Sequence, residues 1–243
     1  MRFGIRGPNV LENWRNKLTS ISTLPIYIGY EEREHEAYEV CAYSLTRLPG
    51  RHIRHQLKSK DIPEYARGHG EPQSTDFTFT RFWVPYLSDF KGYSIFVDCD
   101  FLFLASPEEI FAHIDETKAV SVVQHPAYIP LSEMKMDGVP QHKSFRKNWA
   151  SLMVFNNAHE SNKILTPIYL NDHMPGLDFH HLAWLDDDEI GSLPLEWNCL
   201  DQYYHLAEPK AIHYTDGGPW FGGKYNNTRY AKMWLDMKSE MHA

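Results

Sequence analysis

The stretch Ser94-Ile95-Phe96-Val97-Asp98-Cys99-Asp100-Phe101-Leu102-Phe103-Leu104 decides how this sequence is read. Its apolar run before Asp98 has the pattern of a buried strand whose carboxyl end carries acids. On an extended strand, alternate residues point to the same side with Cα atoms roughly 6 to 7 Å apart. Both carboxylates then converge on one point, while Cys99 turns into packing. Two close carboxylates in a half-buried setting repel each other unless a cation neutralises them. The plain alternative is a solvated turn, and the apolar runs on both sides argue against it.

Working outward, Leu24 to Tyr30 reads as a first strand. Ala37, Val40, Cys41, Ser44 and Leu48 recur at helical spacing, which predicts a helix over Glu34 to Leu48. Arg51 to Leu57 follows as a second strand, then a polar loop with Gly68 and Gly70. Ser74-Thr75-Asp76 supplies caps for a helix reaching Leu87, and Ser106-Pro107-Glu108-Glu109 reads as a helix start. Ala119 to Gln124, Ala150 to Asn156 and Ala211 to Tyr214 read as strands, with a helix over Glu160 to Leu170. Tyr230, Trp234, Met237 and Met241 line one face of a C-terminal helix. Strands alternating with helices imply an α/β fold, a largely parallel sheet covered on both faces. Such sheets place ligands at the carboxyl ends of their strands, where Asp98 and Asp100 fall. With no repeat, low-complexity tract or Gly/Ser linker, residues 1–243 read as a single domain. Within it, 1–23 form an N-terminal extension, 24–222 a core and 223–243 a C-terminal helix.

Far downstream, Ile212-His213-Tyr214-Thr215-Asp216-Gly217-Gly218-Pro219-Trp220 sets a histidine at a strand end before a glycine pair. Glycines let main-chain amides approach an anion such as a diphosphate. Asp186-Asp187-Asp188-Glu189 is either a solvated helix start or a group that grips sugar hydroxyls or acts in transfer. The formal charge of -8 over 243 residues argues against a nucleic-acid partner. No window approaches the roughly 18 uninterrupted apolar residues of a membrane span. Met1 to Lys17 lacks the apolar centre of a secretory signal. Cys41, Cys99 and Cys199 are odd in number and widely spaced, which suggests reduced core thiols. Together these predict a cytoplasmic location.

Four features are similar to the retaining glycosyltransferases of the family-eight type, the group of glycogenin and bacterial lipopolysaccharide hexosyltransferases. They are Asp98-Cys99-Asp100, the late His213-Tyr214 with Gly217-Gly218-Pro219-Trp220, Thr80-Arg81-Phe82, and Leu152-Met153-Val154-Phe155-Asn156. The resemblance covers roughly residues 24 to 222. It implies a glycosyltransferase-A type fold, a Rossmann-like mostly parallel sheet flanked by helices. It implies transfer of a hexose, with retention, from a nucleotide-diphosphate sugar, with UDP the default. The acceptor is open: a glycan, a lipid-linked glycan, a protein or a small molecule.

Carried over by position, Asp98, Asp100 and His213 would hold a divalent ion. Two hard carboxylates and one imidazole suit Mn²⁺, with Mg²⁺ the alternative. Tyr30 would lie against the nucleotide base. Arg81 and the Gly217 and Gly218 amides would reach the phosphates. Asn156 and Asp186 would hold donor-sugar hydroxyls. Asp187, with Asp186 and Arg81, would act in the transfer step, as nucleophile or positioning group. The segment Tyr128 to Lys147 would shape the acceptor site or form a plain surface loop. Two rival readings stand beside this one. A non-catalytic nucleotide-sugar-binding module predicts binding with no turnover, and the retained three-ligand set argues against it. A haloacid-dehalogenase-type phosphatase also ends a strand in Asp-x-Asp, but a small or hydroxyl residue normally follows it, where Phe101 stands here.

Overall fold

The computed structural model describes residues 23–67, 75–126, 146–173 and 175–243. The expected N-terminal extension, the Gly68 and Gly70 loop, the Ser74 cap and most of the Tyr128–Lys147 segment lie outside the described residues. The strands are β1 (Leu24–Gly29), β2 (His52–Leu57), β3 (Tyr93–Val97), β4 (Phe101–Phe103), β5 (Val120–Val122), β6 (Leu152–Asn156), β7 (Ile190–Ser192), β8 (Cys199–Leu200) and β9 (Ala211–His213). The α-helices are α1 (His35–Thr46), α2 (Val84–Leu87), α3 (Pro167–Asp172), α4 (Gly176–His180) and α5 (Ala231–Met241).

Six strands form the central sheet in the order β2-β1-β3-β6-β5-β7, and β4-β9-β8 form a smaller one. In the large sheet β6 alone runs against its neighbours, so the sheet is mostly parallel, as expected. The apolar run of β3 is fully buried from Ile95 to Val97, because it lies between β1 and β6. Helix α1 buries Ala37, Val40, Cys41, Ser44 and Leu45, the face its periodicity marks. The Ser44 hydroxyl accepts a bond from the Phe103 amide at 3.1 Å, tying α1 to β4.

Several expected helices are shorter or tighter than their patterns suggest. The segment before α2 is a 3₁₀ turn over Thr80–Trp83, and Ser106 caps a 3₁₀ helix, Pro107–His113. The helix expected over Glu160 to Leu170 breaks in two. Pro167 has no amide to donate and holds the preceding Thr166 extended (φ -83°, ψ 161°), so α3 starts afresh with Thr166 as its cap. All three cysteines are free and buried, as their spacing implied. Among the described residues no helix is long and apolar enough to cross a membrane.

A second apolar cluster joins α1, the small sheet and α5 through Val40, Leu102, Cys199, Ile212, Tyr214, Tyr230 and Trp234. The Tyr214 hydroxyl donates to the Tyr230 carbonyl at 3.0 Å, and Trp234 is 1% exposed. Truncating a buried aromatic to alanine costs about 3 to 5 kcal/mol. Trp234→Ala is therefore expected to lower the free energy of unfolding by that amount, obtained from the midpoint and slope of an equilibrium urea titration.

Candidate metal centre

β3 delivers Asp98 to the carboxyl edge of the large sheet, and the chain then turns into β4 of the small one. The aspartates sit in this turn rather than on the strand itself, so it is the turn, not strand alternation, that brings them together. The turn is held from both sides. The Asp98 amide donates to the Ser151 carbonyl at 2.9 Å, and the Tyr214 amide donates to the Asp100 carbonyl at 3.0 Å. Phe101 stands opposite His213 in the antiparallel β4–β9 ladder. Their rings stack at 4.5 Å with 18° between planes. Donor atoms of Asp98, Asp100 and His213 consequently lie within 4.8 Å of one another. Asp100 is 7% exposed and His213 1%.

The donor set fits a divalent ion. Oxygen and imidazole ligands bind such ions at about 2.0 to 2.6 Å, so small closing movements bring all three into range. His213 Nε2 lies 3.4 Å from Asp100 Oδ2, and Nδ1 lies 3.0 Å from Asn198 Oδ1. Metal-bound histidines usually engage their second ring nitrogen in this way. Cys99 does turn inward, donating to Glu34 Oε2 at 3.5 Å. Burial first, then the negative charges of Glu34, Asp100 and Asp98, push its thiol well above the ordinary range.

Arg81 is almost buried beside this group. Its Nη1 lies 3.0 Å from Asp98 Oδ1 and donates to the Ala150 carbonyl at 2.9 Å, while Nε donates to the Thr78 carbonyl at 3.1 Å. Its guanidinium also lies over the Phe96 ring at 5.0 Å. A planar fork held at three points orients the Asp98 carboxylate and offsets its charge. Tyr30 follows β1 at the same edge as Asp98. Its ring is half-exposed, edge-on to Tyr38, with Lys58 Nζ 4.0 Å from its centroid.

Other expected residues are placed differently. Gly217 takes a positive φ of 104°, and its amide already donates to the Tyr214 carbonyl at 2.8 Å. It closes a turn, so its amide is not directed at an anion. A Cβ on Gly218 would sit 2.1 Å from the Trp220 ring, so this glycine is needed for close packing whatever else its amide does. Asn156 ends β6 opposite Tyr93, at the start of β3. That is roughly 16 Å of strand away from Asp98, and the structure does not bring it to the metal turn. The reversed direction of β6 is the reason: its first residues, not its last, meet Asp98. Asp186 and Asp187 lead into β7, which runs parallel to β3, and they therefore enter from the opposite edge. Both are exposed; Asp186 starts a 3₁₀ turn and Asp187 pairs with Arg146.

Three partners of the site were not singled out from the sequence: Asn198, Ser151 and Asn148. The available signal was a polar residue inside the apolar run Trp197-Asn198-Cys199-Leu200. Two further histidines lie nearby. Burial, helped by the neighbouring His213 and partly offset by Asn198, holds the His125 imidazole down at about 3. Burial and then the Arg81 charge hold His180 well below the ordinary imidazole range.

No protein-family model matches this chain. Its fold is shared with solved glycosyltransferases. The bifunctional glycosyltransferase WbbM is 14% identical with a TM-score of 0.57, over 91% of this chain and 51% of that one. The galactosyltransferase LgtC, solved with donor and acceptor sugar analogues, is 12% identical with a TM-score of 0.56, over 90% and 97%. GlyE of Streptococcus pneumoniae is 15% identical with a TM-score of 0.55, over 90% and 62%. The chain thus spans about half the length of WbbM and less than two thirds of GlyE. These likenesses define the class: a glycosyltransferase-A type fold carrying an Asp-Asp-His cluster at the edge of its sheet. In sequence, the chain is 41% identical to Protein CDI of Arabidopsis thaliana over 227 residues, 88% of this chain and 86% of the relative. The chain belongs to the same family as Protein CDI.

The buried histidines give stability a pH dependence. With a folded pKa near 3, His125 stays neutral where an unfolded imidazole, with a pKa of about 6.5, takes up a proton. The unfolded state then binds more protons, so stability is full above about pH 6.5 and falls as pH drops toward 3. One such group contributes a slope of about 1.4 kcal/mol per pH unit in that window. His125→Gln is expected to reduce the measured slope of unfolding free energy between pH 6 and 4.5 by about that amount.

Proposed function

We propose that this protein is a metal-dependent glycosyltransferase that takes a hexose from a nucleotide-diphosphate sugar, with UDP the favoured nucleotide. The observation that carries the reading is the convergence of Asp98, Asp100 and His213 at the carboxyl edge of β3. That edge is where sheets of this kind present ligands. Mn²⁺ suits the mixed oxygen and nitrogen donors, with Mg²⁺ second. A divalent ion held there by Asp98, Asp100 and His213 would supply Lewis-acid stabilisation of a diphosphate leaving group.

The chain's own residues do the rest. Arg81 aims the Asp98 carboxylate and offsets its charge, because its guanidinium is fixed by two carbonyls and an aromatic face. Two carboxylates against one guanidinium leave a single excess negative charge, which a divalent cation turns positive toward a phosphate. Tyr30, half-exposed beside Lys58, offers a flat face for the base and a cation near the phosphates. Phe101 keeps the His213 ring in one plane by stacking. Residues 24–222 form the catalytic core in this reading, and the resemblance to family-eight enzymes supports transfer with retention.

A screen of UDP-, GDP- and other nucleotide sugars tests it, with nucleotide release followed in the presence and absence of Mn²⁺. Manganese-dependent release from one donor is expected, abolished by chelation. Asp100→Ala is expected to lower turnover more than about 100-fold with the far-UV spectrum unchanged, since losing one electrostatic stabiliser typically costs that much. Near-normal turnover in that variant would defeat the assignment. Binding of a donor without release, even with acceptors supplied, would favour a binding module. Phosphate release from a phosphomonoester would favour the phosphatase.

A further inference from the structure

We infer that Asn198 is a positioning residue that fixes the His213 imidazole with its proton on Nδ1 and its Nε2 lone pair turned toward Asp100. The inference rests on the metal-site reading above.

Asn198 is wholly buried, in the 3₁₀ turn (Leu195–Asn198) that leads into β8. Its Nδ2 lies 3.1 Å from the Asn148 carbonyl and 2.9 Å from Ser151 Oγ. The carbonyl can only accept. The Ser151 hydroxyl already directs its hydrogen to that same carbonyl at 2.6 Å, so it offers Asn198 a lone pair. Both neighbours therefore require N–H groups from the amide, and the flipped amide would face two acceptors with an oxygen. The Oδ1 atom is left pointing at His213 Nδ1, 3.0 Å away. An amide oxygen only accepts, so the neutral ring carries its hydrogen on Nδ1, and Nε2 presents a lone pair. That lone pair faces Asp100 Oδ2 at 3.4 Å, an arrangement of two electron-rich atoms that a cation between them relieves.

The network is anchored at its far end as well. Asn148 sits in the left-handed region at φ 64°, and its Oδ1 accepts from the Thr215 hydroxyl at 3.1 Å, two residues beyond His213. Ser151 in turn gives its carbonyl to the Asp98 amide. One polar cluster thus orders the ring of one ligand and the backbone of another.

The test measures Mn²⁺ affinity of the full chain by electron paramagnetic resonance of free Mn²⁺. The wild type, Asn198→Asp and Asn198→Leu are compared. Losing such a partner weakens metal binding by about 10- to 100-fold, so the leucine variant is expected to fall in that range. The aspartate variant keeps an acceptor for Nδ1 but loses the N–H groups given to Ser151 and the Asn148 carbonyl, so it is expected to recover part of the affinity. A role in packing alone predicts the opposite order, because leucine fills the site without charge. Equal affinities in wild type and leucine variant, or tighter binding by leucine than by aspartate, would overturn the inference. If the leucine variant does not fold, Ser151→Ala serves, expected to weaken Mn²⁺ binding by about threefold or more through a loosened amide. Two-bond ¹H–¹⁵N correlations of the metal-free wild type locate the ring proton directly. Nδ1 is expected, and a proton on Nε2 would refute the assignment. Absence of Mn²⁺ binding by the wild type would sink the metal-site reading, and the ring-proton measurement would then decide the orientation by itself.

Discussion

The short antiparallel ladder between β4 and β9 is the contact on which the site depends. It joins a strand that follows the acidic turn to a strand near the end of the chain, and it sets Phe101 against His213. The bond from the Tyr214 amide to the Asp100 carbonyl closes the end of that ladder, so the acid and the imidazole share one fixed frame. The ladder is short, and its rigidity comes from what packs against it. Helix α1 reaches β4 through Ser44, and α5 covers the same cluster through Trp234 and Tyr230. Elements remote from the chemistry thereby hold its geometry.

The second constraint is electrostatic. Asp98 and Asp100 lie in a poorly hydrated corner, where like charges repel more strongly than in water. Arg81 offsets part of that repulsion, and it is itself held by backbone carbonyls, which leaves it little freedom to swing away. Partly compensated negative charge in a fixed shape is a favourable setting for a cation. The surrounding polar network runs bond by bond from Thr215 through Asn148 and Ser151 to Asn198 and His213. A buried network of this kind specifies a single arrangement, since any broken member leaves a polar atom with no water to turn to.

Much of the scaffold was legible because burial leaves a periodic imprint. β1, β3 and β9 carry apolar runs bounded by polar turns, and α1 and α5 carry one apolar face each. The misses have identifiable causes. β4, β7 and β8 span two or three residues each and were not assigned, whereas the equally short β9 was read from the apolar pair before His213. The continuous helix expected over Glu160 to Leu170 gave way to Pro167, whose missing amide outweighs the apolar pattern. The resemblance implied that Asn156 and Asp186 hold donor-sugar hydroxyls and that Asp187 acts in transfer; the pairing of β6 and β7 places all three apart from the Asp98 turn. Strand direction is a property of pairing, not of any one segment.

From its residues alone the chain reveals the class of fold and the chemical types at the candidate metal centre. Apolar periodicity and the composition of one turn depend only on local residues. Only the tertiary structure decided which distant groups meet. The reversal of β6 carried Asn156 to the far edge and brought Ala150 and Ser151 to Asp98 instead. The parallel course of β7 carried the acid cluster away, and the pairing of β8 with β9 set Asn198 beside His213. Strand order and direction arise from the burial and hydrogen bonding of the whole chain at once, so no single stretch of residues encodes them.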